Sequence, residues 1–226
     1  NDLAAIESAR HSYQSKQWLV GPLIAGKLSS SKALLVINPA LPSDQVGKVV
    51  QATLDDVETA LTQATSWQAS AAERAAILVK ASDLFEDNFG ELFAILSREA
   101  GKTPLDAIAE LREAVDFLRY YAARGQDLSD PARGIIACIS PWNFPLAIFA
   151  GQISAALAAG NGVVAKPAEP TSIISCIAVK LMHEAGVPTQ VLQLLPGPGS
   201  IVGAKITTDP RIKGICFTGS TATAAL

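Results

Sequence analysis

The sequence predicts an α/β protein: a parallel, doubly wound sheet with flanking helices, preceded by a strand and a helical region that pack on it. Three observations carry this. From Gly134 onward, short apolar runs alternate with segments of helical period in the order β-α-β-α-β-α-β-α. The first of those runs, Ile135–Ile139, is apolar throughout and not alternating, which suits a strand buried on both faces. Before Gly134, apolar residues recur at helical spacing between recognisable caps.

Residues 1–50 read as mixed. A strand is expected over Ala33–Ile37, ended by Asn38-Pro39 and Pro42, with Val46–Val50 as its continuation or partner. A helix is expected over Asp55–Gln68. Ser70 followed by Glu73 forms a capping box for the next helix, which runs through Phe85 and buries Ile77, Leu78, Ala81, Leu84 and Phe85. Asn88–Gly90 interrupts it, and a shorter helix reaches Ala100 with Gly101 as its stop. Thr103 and Pro104 then supply an N-cap and a first-turn proline. The helix they open places Leu105, Ile108, Leu111, Val115, Leu118 and Ala122 on one stripe and ends near Gly125.

The polar, turn-rich stretch Asp127–Pro131 divides the chain into an N-terminal part, 1–130, and a sheet core, 131–226. Strands are expected over Ile135–Ile139, Gly162–Lys166, Val191–Leu195 and Ile212–Phe217. The helices between them are expected over Ala147–Ala159, Thr171–Ala185 and Ser200–Ile206, and Ser220 opens another.

Composition narrows the function classes. A net charge of −3 leaves no basic footprint for nucleic acid. No apolar run is long enough to span a bilayer, and the first residues carry no signal-peptide pattern. Cys138, Cys176 and Cys216 are dispersed and odd in number, which argues for a reducing, cytoplasmic setting over a disulfide framework. With only His11 and His183, and no cysteine pair at ligand spacing, no metal site is expected.

Ligands of open parallel sheets bind at the carboxyl ends of the strands, and four unusual loops sit there. Ser140-Pro141-Trp142-Asn143-Phe144-Pro145 holds an amide between prolines; Asn143 either caps the next helix or donates to a developing oxyanion. Lys166-Pro167-Ala168-Glu169-Pro170 offers either a solvated ion pair or a donor and an acceptor for two ribose hydroxyls. Pro196 to Gly203 is glycine-rich and opens a helix, but its last gap is one residue too long for the usual dinucleotide fingerprint. Phe217-Thr218-Gly219-Ser220-Thr221 ends a strand and begins a helix, either as simple N-capping by Ser220 or as a phosphate seat.

Together these motifs resemble the aldehyde dehydrogenase superfamily, from PWNFP to FTGST. Within it the chain is most similar to 1-pyrroline-5-carboxylate dehydrogenases of the kind found as a module in proline utilisation A. The closer match rests on REAGKT (98–103), AELREAVDFLRYYAA (109–123), CISPWNFPLAIF (138–149) and HEAGVPTQVLQLLP (183–196). The resemblance implies an aldehyde dehydrogenase NAD-binding fold and NAD-dependent oxidation of glutamate γ-semialdehyde to glutamate in proline catabolism. It implies Asn143 as the oxyanion amide. Lys166 and Glu169 would hold the adenine ribose, Gly199 and Gly203 would lie on the adenosine side, and Ser220 at the pyrophosphate. Ile139, Ser140, Pro141 and Trp142 would line the cleft, with Phe217, Thr218 and Gly219 near the nicotinamide. A proline dehydrogenase module in the parent protein and assembly as a homo-oligomer belong to the same implication.

Ala224 stands where many members have a second glycine. In the family the nucleophilic cysteine and general-base glutamate come later than the position of Leu226, so the chain by itself is expected to be inactive. The three cysteines read as packing residues, and Glu99, Glu110 and Glu113 as solvent-facing or structural. Two other readings stand beside this one: a non-catalytic truncated nucleotide-binding fragment, and an aldehyde dehydrogenase of another substrate.

Overall fold

A computed structural model of the chain describes residues 2–29 and 31–225. Its centre is a four-stranded parallel sheet of β4 (Ile135–Ile139), β5 (Gly162–Lys166), β6 (Leu192–Leu194) and β7 (Ile212–Phe217), in the order β6-β5-β4-β7. Both faces of β4, β5 and β6 are covered, whereas the edge strand β7 is only partly buried, with Ile215 48% exposed. Ile136, Cys138, Val163, Ala165, Leu192 and Leu194 face one apolar cluster with α6 (Ala147–Ala158) and α7 (Ser172–Ala185). Ile135, Ala137, Val164 and Leu195 face the other, with α2 (Leu54–Gln63) and α8 (Ala204–Thr208). That two-sided burial is why β4 and β5 read as apolar runs, whereas β7, which contains Lys213, alternates between half-buried and exposed positions.

The helical region extends the first of those clusters. α3 (Ala71–Asp87), α4 (Phe89–Glu99) and α5 (Pro104–Arg124) pack on α6 and α7, burying Phe85, Leu92, Ile95 and Leu118. The predicted caps form: Ser70 and Glu73 make their capping box, and Thr103 accepts from the Asp106 N–H with Pro104 in the first turn. Gly101 has φ +67°, the left-handed conformation that lets the chain turn from α4 into α5.

A second sheet, order β1-β3-β2, consists of β1 (Trp18–Val20), β2 (Ala33–Asn38) and β3 (Leu41–Val50). The chain opens with α1 (Asp2–His11), packed on α4. Among the described residues no helix is long and apolar enough to cross a membrane.

Several local expectations are corrected. The helix expected to reach Gln68 ends at Gln63, because residues beyond it bond to the turns leading into β6 and β5: Thr65 N–H donates to Gln190 O and Trp67 N–H to Gly160 O. Its true start is a capping box of Thr53 and Asp56. Pro42 does not end a strand but lies near the start of β3, where a proline needs no ladder partner for its nitrogen. Val46–Val50 pairs antiparallel with β2 and does not continue it. Leu105, placed on the buried stripe, is 75% exposed, and the stripe begins at Ala107. Ile77 and Leu84 are only half-buried. The short helix expected from Ser200 starts as a wide π turn over Gly199–Gly203 and becomes α-helical only at Ala204.

Candidate active site

The strand order fixes where a ligand goes. From β4 the chain first winds to one side, to β5 and β6, then returns to the other side as β7. The crevice at the carboxyl ends of β4 and β7 is therefore the topological switch point of the sheet. The loop Ser140–Pro145 leaves β4 there, and the turn Thr218–Ser220 leaves β7. Thr218 N–H donates to Ile139 O at 3.1 Å, so the two loops are stitched together at their roots. Gln152 on α6 completes the seam: its amide nitrogen donates to Ile139 O and Thr218 Oγ1, while its oxygen accepts from Ser140 Oγ at 2.9 Å.

Asn143 sits at the tip of the first loop, exposed, and makes no side-chain hydrogen bond to any described residue. The capping alternative for it is thereby removed. The N-cap of α6 is Leu146, which makes no side-chain cap. The first N–H groups of α6 are held by a carboxylate from another helix: Glu110 Oε2 accepts from Leu146 N–H at 3.3 Å and from Ala147 N–H at 2.8 Å. Trp142 beside Asn143 is 60% exposed, and Phe144 and Pro141 flank the same opening.

Beside this opening the loops after β5 and β6 converge. The solvated ion pair is corrected: Lys166 is only 5% exposed and its ammonium donates to Pro167 O at 3.1 Å, not to Glu169. Burial pulls the Lys166 pKa down, against the pull of the Glu169 charge. Glu169 is exposed and accepts from Gly199 N–H at 3.1 Å. A Cβ at Gly203 would stand 3.6 Å from Lys166 Cε, whereas one at Gly199 would meet nothing within 4 Å. Lys166, Glu169, Gly199 and Gly203 thus form one group, while Asn143, Ile139, Ser140, Thr218 and Gly219 form another around the β4–β7 seam. A cleft of about 520 Å³ lies along β2, lined by Leu34–Ile37 and Pro39, and reaches Trp142, Glu169 and Gly197 at its rim; Asn143 and Lys166 do not line it. Ser220 caps the short helix α9 (Thr221–Ala224), accepting from Thr223 N–H at 3.2 Å.

The groups could seat a dinucleotide. A buried lysine and an exposed carboxylate, next to Gly199, where an added side chain would meet nothing, match the donor and acceptor needs of a ribose. The seam offers an exposed amide that makes no side-chain hydrogen bond to any described residue. None of the cysteines is presented to the crevice. Cys138 and Cys176 are fully buried, and Cys216 packs toward the same core cluster as Cys138, its register partner on the neighbouring strand. Hydrogen bonding with Cys138 lowers the Cys216 thiol to about 6 and raises that of Cys138; burial raises Cys176.

Three contributors escape a linear reading: Glu99, Glu110 and Gln152. Glu99, buried, accepts from Ile173 N–H at 2.7 Å and Ile174 N–H at 2.9 Å, capping α7 as Glu110 caps α6. Glu113 is exposed. Burial pushes Glu99 up to about 8 and raises Glu110 also.

The profile of the aldehyde dehydrogenase family matches residues 27–226. The chain belongs to the aldehyde dehydrogenase family. It is 51% identical over 233 residues to the bifunctional protein PutA of Salmonella typhimurium, covering 99% of this chain and 18% of that protein. It is 37% identical over 222 residues to the 1-pyrroline-5-carboxylate dehydrogenase of Bacillus cereus, covering 88% and 43%. Among solved structures, a 1-pyrroline-5-carboxylate dehydrogenase from Thermus with bound NAD matches at a TM-score of 0.90 and 32% identity, covering 99% of this chain and 48% of that one. PutA from Bdellovibrio bacteriovorus matches at 0.90 and 34%, covering 99% and 25%. The chain therefore spans less than half the length of each of these relatives.

Proposed function

We propose that the chain is the cofactor-binding part of a dehydrogenase that oxidises glutamate γ-semialdehyde to glutamate with NAD, in proline catabolism. The family membership and the PutA and 1-pyrroline-5-carboxylate dehydrogenase relatives support the reaction class. The observation that carries the reading is the switch-point geometry: one exposed amide at the β4–β7 seam, beside a buried lysine and an exposed glutamate that converge with two glycines.

When bound, NAD supplies the hydride acceptor. The chain's own residues bind it and meet the reacting oxygen. Lys166 donates to, and Glu169 accepts from, the hydroxyls of the adenine ribose. Gly199 and Gly203 lie on the adenosine side, Ser220 faces the pyrophosphate, and Phe217, Thr218 and Gly219 lie near the nicotinamide. Ile139, Ser140, Pro141 and Trp142 line the remaining walls. As a thiolate adds to the aldehyde carbon, negative charge grows on the aldehyde oxygen, and the Asn143 amide N–H stabilises it. The nucleophilic thiolate and the base that activates water come from polypeptide other than these residues. Residues 131–226 carry the cofactor site and residues 1–130 support it. A proline dehydrogenase module in the same polypeptide would supply the substrate, and the complete enzyme would assemble as a homo-oligomer.

The test is Asn143→Ala in the complete enzyme. The single-turnover rate should fall by about 100- to 1,000-fold with NAD affinity unchanged, and the 226-residue chain alone should form no NADH from the semialdehyde. An unaltered single-turnover rate, or turnover by the chain alone, would overturn the assignment.

A further inference from the structure

Asn143 must hold its position although its side chain makes no hydrogen bond to any described residue. On its upstream side the loop is fixed by Ser140, whose N–H donates to Lys166 O at 3.2 Å and whose hydroxyl donates to Gln152. Its downstream side has no such local anchor, since α6 begins without a side-chain cap from its own loop. The anchor comes from α5. Glu110 is 1% exposed and receives on Oε2 the N–H groups of Leu146, the N-cap, and Ala147, the first residue of α6. Its other oxygen lies 3.1 Å from Lys102 Nζ. The same ammonium stands 4.5 Å from the centroid of the Phe144 ring, the residue directly after Asn143.

We propose that Lys102 and Glu110 form a two-point clamp that positions Asn143 for the chemical step: Glu110 holds the loop where it enters α6, and Lys102 holds it through the Phe144 ring. The proposal rests on the oxyanion role assigned to Asn143 and extends it to the residues that aim the amide. The chemistry favours positioning over stability as the purpose. A buried ion pair loses most of its Coulombic gain to desolvation, so an apolar pair of similar volume would hold α5 against α6 at least as firmly. What an apolar pair could not do is fix the direction of the first α6 N–H groups and, through the ammonium over the ring face, the orientation of Phe144. Displacing a reacting group by about 1 Å through a change away from the chemistry can cost roughly 100-fold in rate.

The experiment is a double-mutant cycle in the complete enzyme, read by single-turnover rate, KM for the aldehyde and NAD affinity. Glu110→Gln keeps the size and one acceptor but loses the charge that holds Lys102. Its rate should fall by roughly 10- to 100-fold, with NAD affinity unchanged. Combined with Asn143→Ala, the same substitution should slow the enzyme further by no more than about twofold, because nothing remains to be aimed. If Glu110→Gln multiplies its full effect onto Asn143→Ala, the clamp acts on something other than Asn143 and the proposal falls while the oxyanion role stands. If Asn143→Ala alone leaves the rate unchanged, the oxyanion role and the clamp fall together. Should Glu110→Gln fail to fold, Lys102→Met leaves the α6 cap in place and removes only the grip on Phe144. Lys102→Met is then expected to show the same loss and the same absence of further loss in the Asn143→Ala background, and full multiplication there would equally overturn the proposal.

Discussion

Replacing Glu99 by glutamine should flatten the dependence of folding stability on pH. Glu99 is buried, its carboxyl oxygens reaching the first turn of α7 to accept from the N–H groups of Ile173 and Ile174. Burial raises its pKa from 4.5 to about 8, more than the two N–H bonds lower it. A carboxyl that binds its proton more tightly in the folded state stabilises that state at low pH. The contribution is fully present below pH 4.5 and is lost as the pH rises toward about 8. Each pH unit in that window removes about 1.4 kcal/mol, and the whole window removes about 5 kcal/mol as an upper figure. Glutamine has the shape of the protonated acid and, like it, one full acceptor for the two N–H groups. Urea denaturation of both forms, followed by circular dichroism, should therefore give stabilities within about 1 kcal/mol at pH 5. Above that the variant should gain on the parent at each step up to pH 8. Parallel stability curves for the two proteins across this range would refute the reasoning, since the buried carboxyl would then titrate alike in both states.

Two further expectations follow from single positions. Iodoacetamide at pH 7 should modify Cys216 before Cys138 and Cys176, with a half-maximal rate near the lowered thiol value of about 6; equal modification of Cys176 by peptide mass mapping would contradict the pairing. Gly162→Ala should destabilise the fold by about 1–3 kcal/mol, because the new Cβ would press into the Thr65 carbonyl oxygen, and an unchanged urea midpoint would show that contact to be relieved without cost.

The strand–helix alternation after Gly134 is legible because β4, β5 and β6 are covered on both faces, and the helices between them turn apolar stripes to the sheet; β7, at the edge, is only partly buried. Caps such as Ser70 with Glu73 are legible because their partners lie three residues apart. What the linear pattern hides is long-range. β1 is three residues held by pairing with β3 across the intervening chain, and it carries no strand signal of its own. Leu105 fits the apolar stripe of α5 by spacing, yet it lies in the first turn, beyond the reach of the packed helices. The site divides in the same way. Asn143, Lys166 and Glu169 stand out because they sit among prolines at strand ends. Glu99 and Glu110, on an amphipathic helical background, read as ordinary helix residues, although each holds the start of a sheet-crossing helix 74 and 36 residues further on. The depth of Lys166 is hidden too, because a lysine followed by a nearby glutamate reads as a surface pair until the loop after β6 folds over it.

The central claim is that the crevice has two separable halves, one that holds the cofactor and one that meets the reacting oxygen. Calorimetric titration of the complete enzyme with NAD tests it most directly. Glu169→Ala and Lys166→Ala should each weaken NAD binding by about tenfold or more, the loss of one charged hydrogen-bond partner, whereas Asn143→Ala should leave the affinity as it is. Undiminished affinity in both the Glu169 and Lys166 variants, or a loss of affinity confined to the Asn143 variant, would contradict the account.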